Sequence, residues 1–129
     1  MIPYSTEFDP PAAVIQIQVA GVVHSRPRVT ISAILDTGAD LTAVPETLVD
    51  RLNLFPTGRM VVEDVNGQTT VAETYMIKLK IADKTISEHK VLLTGLDFGI
   101  IGRDLLNTFY LLLNGPEGTF ELAETSPIH

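Results

Sequence analysis

The chain has 129 residues and no cysteine, so it is long enough for one domain that buries about two thirds of its unfolded surface, while disulfides, thiol nucleophiles and thiolate metal sites are excluded. Its formal net charge of -7 disfavours nucleic acid and anionic membrane surfaces as partners, because both demand a basic footprint. No apolar run approaches the roughly 18 residues that span a bilayer, and Met1-Ile2-Pro3-Tyr4 does not begin a basic region followed by an apolar core, so a cytoplasmic protein with no membrane association is expected.

Residues 1–11, with Pro3, Pro10 and Pro11, are predicted to form an extended arm without a regular element. Residues 12–123 are expected to form the single domain and 124–129 a tail. Ile15, Ile17 and Val19 alternate with Gln16 and Gln18, the period of a half-buried strand that ends near Gly21. After a connection at His24-Ser25-Arg26-Pro27, Val29, Ile31 and Ala33 alternate with polar residues until Ala33-Ile34-Leu35 runs apolar into Asp36. Pro45 beside Glu46, with Leu48 and Leu52 on one face, predicts a helix over 45–54. Met60–Val65 and Gln68–Val71 are joined by Asn66-Gly67, the dipeptide that a type I′ hairpin prefers.

Tyr75, Ile77, Leu79 and Ile81 alternate with Met76, Lys78 and Lys80, which predicts a strand with one mostly basic face and a turn at Ala82-Asp83-Lys84. Residues 85–94 read as the next strand, whose continuous Val91-Leu92-Leu93 implies burial on both faces. Gly95 to Gly99 leads into Ile100-Ile101-Gly102 and a short helix over 103–107. Strands at 109–113 and 119–122 then bracket Asn114-Gly115-Pro116-Glu117-Gly118, a turn cluster. The sum is a mostly β domain with one or two short helices.

Asp36-Thr37-Gly38 is the stretch where chemistry concentrates. A bare Asp-Thr-Gly occurs in about one or two of every hundred chains of this length, so it gains weight only beside the second apolar-apolar-glycine element, Ile100-Ile101-Gly102, followed by Arg103-Asp104. The structural alternative for Asp36 is a turn or capping aspartate. His24, His89 and His129 are scattered without ligand-like spacing, so no metal or other cofactor is expected. Gly95 to Gly102 lacks phosphate-loop and dinucleotide spacing, which disfavours nucleotide binding. The charged positions Asp40 and Arg103 are most economically a structural ion pair.

These residues resemble the retropepsin-like aspartic proteases, the retroviral proteases and their cellular and bacterial relatives. Asp36-Thr37-Gly38-Ala39-Asp40 is similar to the catalytic motif of that family, Ile101-Gly102-Arg103-Asp104-Leu105-Leu106 to its C-terminal signature, and the hairpin at Asn66-Gly67 to its flap. The resemblance covers about Ile15 to Leu113. It implies a closed acid-protease half-barrel of six or more strands with a flap hairpin. It further implies that Asp36 supplies half of a catalytic dyad completed by the same residue of a second subunit, with Thr37 and Gly38 supporting the dyad. Gly38, Ala39, Asp40, Val65, Asn66 and Gly67 are then expected to bind substrate, and Arg103 to pair with Asp40. A helix over 45–54 resembles the cellular and bacterial members rather than the small viral enzymes.

Peptide hydrolysis without metal or covalent nucleophile needs a base to activate water and an acid to protonate the amide, and two carboxylates sharing one proton supply both. Two functional readings follow. One is an endopeptidase, a homodimer cleaving a peptide or protein substrate held between flap and dyad. The other is a catalytically inactive retropepsin-like module that uses the fold for dimerisation or peptide binding.

Overall fold

The computed structural model describes residues 1–23 and 27–126. Residues 24–26 of the connection read at 24–27 and the last three residues, with His24 and His129, lie outside the described residues. In chain order the elements are β1 (Ile2–Pro3), β2 (Val14–Gly21), β3 (Arg28–Leu35), β4 (Ala43–Pro45), α1 (Leu48–Arg51), β5 (Pro56–Glu63), β6 (Thr69–Ile81), β7 (Lys84–Thr94), β8 (Gly99–Ile101), α2 (Arg103–Leu106), β9 (Tyr110–Asn114) and β10 (Thr119–Ala123).

One sheet runs β2-β3-β8-β4-β7-β6-β5, and pairing of β2 with β6 closes its first six strands into a barrel. Closure removes the edges at which open sheets aggregate. The 13-residue β6 serves two structures at once. Its second half, Ile77–Ile81, pairs with β2 on one side and β7 on the other, while its first half pairs with β5 as a projecting hairpin. Alternation explains the division: Ile77, Leu79 and Ile81 are fully buried with Ile17 and Val19, whereas Val71 and Glu73 are exposed. Each such buried aliphatic contributes about 1.5–3 kcal/mol. Leu48, Leu52, Leu105 and Leu106 cover the barrel from outside and complete the core.

Several sequence expectations change. The helix predicted over 45–54 shrinks to four residues, because Pro45 lies in β4 opposite Thr94 of β7 and Glu46 N still donates to Thr94 O. At the other end Asn53 adopts φ 51° and stops it. The hairpin at Asn66-Gly67 forms, but not as a type I′ turn, which would require positive φ at both central residues. Only Gly67 has it, at 81°, and Asp64 Oδ1 accepts from Asn66 N and Gln68 N, with Gly67 N bonded to Asp64 O. The aspartate side chain selects the wider, self-bonded turn.

The first residues are not free of regular structure. Ile2 and Pro3 pair with Phe120 and Thr119 as an outer strand of the sheet β1-β10-β9, and Phe8 stacks edge-on against Phe98 at 5.0 Å. Of Val91-Leu92-Leu93, only Val91 is fully buried; the other two are half-buried, and Leu92 lines an open cleft. Among the described residues, no helix is long and apolar enough to cross a membrane.

Candidate active site

β3 and β8 lie side by side in parallel, Leu35 opposite Ile101, so the two apolar-apolar-glycine elements leave the barrel together. Asp36 N donates to Ile101 O at 2.9 Å, and Leu35 N donates to Ala13 O at 3.0 Å. The chain then turns tightly, with Ala39 N donating to Asp36 O and Gly38 N donating to the Asp36 carboxylate Oδ1 at 2.8 Å. A Cβ at Gly38 would stand 3.2 Å from that same oxygen, so a side chain there would crowd the carboxylate. Asp36 is half-buried, Thr37, Gly38 and Asp40 are exposed, and Asp36 has no ion-pair partner among the described residues.

The turn is anchored by α2. Arg103 N donates to Ala39 O at 2.9 Å, Asp104 N to Asp40 O at 3.3 Å, and Arg103 Nη1 to the Thr37 carbonyl at 3.0 Å. Arg103 Nη2 also donates to Asp40 Oδ1. This ion pair is solvent-exposed in the single chain, with side-chain exposures of 47% and 81%. Gly102 permits the arrangement: a Cβ there would sit 2.7 Å from the Leu41 carbonyl carbon and oxygen.

Sequence reasoning missed the polar knot beneath this turn. Thr42, completely buried, donates through its hydroxyl to Asp104 Oδ1 at 2.7 Å and accepts from Gly102 N at 3.2 Å. Its N–H donates to Asp104 Oδ2 at 3.0 Å, and His89 Nε2 on β7 reaches the same oxygen at 2.8 Å. Burial by itself would raise the Asp104 carboxyl, but the hydrogen bonds from His89 and from the Thr42 N–H and hydroxyl, with the charge of His89, outweigh it. The carboxyl is held below its ordinary value. The one sequence signal was Asp104 itself, acidic in a first helical turn after Gly102; its partners depend on strand register.

Across from the Asp36 turn, a cleft of about 540 Å³ is bounded by Gly38, Asp40 and Leu41, by Leu92, and by the unbroken run from Met60 to Glu63 of β5 and on to Asp64 of the turn. A lining of consecutive residues means that the edge of the strand, not one face, borders the cleft, and β5 is the last strand of its sheet. Val71 pairs with Val61 and is 67% exposed; Met60, Val62 and Ala72 are half-buried. The tip residues Val65, Asn66 and Gly67 are exposed, Val65 completely. Among the described residues no three His, Asp or Glu side chains converge as metal ligands would.

A family profile described as "gag-polyprotein putative aspartyl protease" matches residues 19–108. No curated protein sequence matches the chain. Among solved structures, a retropepsin-like aspartic protease from Rickettsia conorii superposes with TM-score 0.59 at 20% identity, covering 88% of this chain and 82% of that one. The simian foamy virus (mac) protease gives 0.56 at 19% identity, covering 74% of this chain and 92% of that one. The EIAV protease, solved with the inhibitor HBY-793, gives 0.56 at 18% identity, covering 82% and 92%. The match over residues 19–108 contains the Asp36 turn, the β5–β6 hairpin and the Gly102-Arg103 element together, and the chain belongs to the gag-polyprotein aspartyl protease family of retropepsin-like proteins.

Proposed function

We propose that the protein is an aspartic endopeptidase, active as a homodimer in which two Asp36 carboxylates meet across a two-fold axis. The observation that carries this reading is the single Asp-Thr-Gly turn per chain, in which Gly38 N donates to the Asp36 carboxylate while Gly38 and Asp40 of the same turn line a cleft with a free strand edge. An extended peptide would add to the β5 edge through main-chain hydrogen bonds, with Val65, Asn66 and Gly67 closing over it and Gly38, Ala39 and Asp40 holding it from below. Leu41, Met60, Val62 and Leu92 offer the cleft its apolar surface.

One carboxylate alone cannot be both acid and base. At about 3 Å and an effective dielectric near 20, two ionised carboxylates repel by roughly 5 kcal/mol, so the pair keeps one proton. The ionised member takes a proton from the bound water as its oxygen attacks the scissile carbonyl carbon, while the protonated member donates to the carbonyl oxygen. Collapse of the tetrahedral intermediate breaks the C–N bond as a proton passes to the leaving nitrogen. Thr37 and Gly38 keep the two turns in register beneath the pair.

A second chain also has a surface to meet. β9 is an edge strand of the β1-β10-β9 sheet, and it exposes Tyr110, Leu112 and Leu113, apolar groups that isologous pairing would cover. The test is a covalently linked dimer with one wild-type and one Asp36→Asn half. The expected result is almost no turnover of an unfolded peptide mixture while a statine-type peptide still binds. Near half of wild-type turnover would mean that each chain acts alone and would overturn the shared dyad. Binding without turnover in the all-wild-type dimer would favour the inactive module.

A further inference from the structure

The outer wall of the barrel carries a second concave site, unconnected with the Asp36 cleft. On β2, Ala20 stands directly between Arg28 of β3 and Lys78 of β6, being the register partner of both. Neighbouring strands lie about 4.8 Å apart, so the two cationic residues are about 10 Å apart with a methyl group between them. Their stems cover Ala20, which is only 3% exposed although it lies on the outward face. Lys80 follows two residues after Lys78 on the same face, opposite Gln18 of β2 and Thr85 of β7. The missing bulk at Ala20 leaves a depression of about 80 Å³ whose lining includes all three cations and no carboxylate.

A basic strand face is ordinarily a solvated surface, and its charges are usually relieved by acids on adjacent strands. Here the facing positions on β2 are Ala20 and Gln18, and on β7 Lys80 faces Thr85 while Lys78 falls at the register shift beside Ser87-Glu88, whose carboxylate forms no ion pair among the described residues. Among the described residues the ion pairs are Arg103–Asp40 and His89–Asp104, so Arg28, Lys78 and Lys80 have none. In a chain of net charge -7, three cations around one hollow, none of them in an ion pair among the described residues, form a local exception to the overall field. We infer that Arg28, Lys78 and Lys80, with the Gln18 amide and the Thr85 hydroxyl at the rim, bind a phosphate-type oxyanion in the hollow over Ala20. The planar Arg28 guanidinium can donate two parallel bonds to one such group, and the lysines neutralise its remaining charge.

The probe is inorganic phosphate, titrated into the isotopically labelled full chain against chloride at matched ionic strength. Saturable amide shifts confined to residues 18–20 and 78–80 are expected, weakened about tenfold in the K78Q/K80Q double variant. Peptide hydrolysis by that variant should be unchanged. If its melt shows that it does not fold, R28Q alone serves, with the same loss. A phosphoserine peptide binding more tightly than phosphate at the same amides would identify a side-chain-borne phosphate, and equal or weaker binding would identify the free anion. Shifts that fail to saturate, that chloride reproduces, or that survive the substitutions would overturn the site.

Discussion

Residues 36–42 hold their shape through partners some sixty positions away: Arg103 and Asp104 bond to Thr37, Ala39, Asp40 and Thr42. Residues 64–68, on the other side of the cleft, bond to themselves, through the Asp64 side chain and the Asp64–Gly67 and Asp64–Gln68 backbone contacts. The first loop cannot move without opening the barrel end, whereas the second can swing as a unit with its turn intact. A rigid carboxylate opposite a movable strand edge is the division of labour that the proposed hydrolysis would use.

The sharpest way to break that contrast is Gly102→Val. The new side chain meets Leu41 backbone at 2.7 Å or less room than any Cβ tolerates, so stability should fall by more than about 3 kcal/mol in a denaturant melt. A wild-type melt would mean that the anchor is softer than its geometry. Asp104→Ala comes next, at about 2 kcal/mol, since it strands the Thr42 and His89 donors; Asp104→Asn should recover part of this by keeping an acceptor. The folded-state pKa of Asp104 lies below its unfolded value, so its contribution is complete above about pH 4 and is lost as pH falls further. Melting temperature measured from pH 6 down to pH 2 should therefore fall less steeply in Asp104→Asn than in wild type.

On the movable side, Gly67→Val places a β-branched residue at φ 81° and should cost about 1 kcal/mol, confined to the hairpin tip. If the hairpin is the lid of the proposed peptidase, kcat/KM should nevertheless drop by about tenfold, because a strained turn would impair its closure; unchanged activity in the folded variant would remove the lid assignment. The smallest effect is expected from Arg103→Ala, about 0.5 kcal/mol by thermal melt, because its pair with Asp40 is open to solvent. A loss of 3 kcal/mol or more, on the order of a buried pair, would show that a second subunit covers it.

The strands were legible because one buried face imposes a period of two, and Ile17, Val19, Ile77, Leu79 and Ile81 display it without interruption. The helix over 45–54 was over-read because proline and an acid suit a first helical turn, yet Pro45 was taken by parallel pairing with β7. The hairpin was legible and its turn type was not, since the preference of Asn66-Gly67 yielded to the side chain of Asp64.

The sequence by itself determined the alternating strand faces, the position of Asp36 at the end of an apolar strand, and the second apolar-apolar-glycine element at Ile100-Ile101-Gly102. These are properties of neighbours along the chain, and burial acts on them locally. Only the tertiary structure decided that His89 and Thr42 share Asp104, that the Asp40–Arg103 pair is exposed, and that Ala20 lies between two cations. Those depend on which residues face each other across strands, and register is fixed by closure of the whole barrel rather than by any one segment.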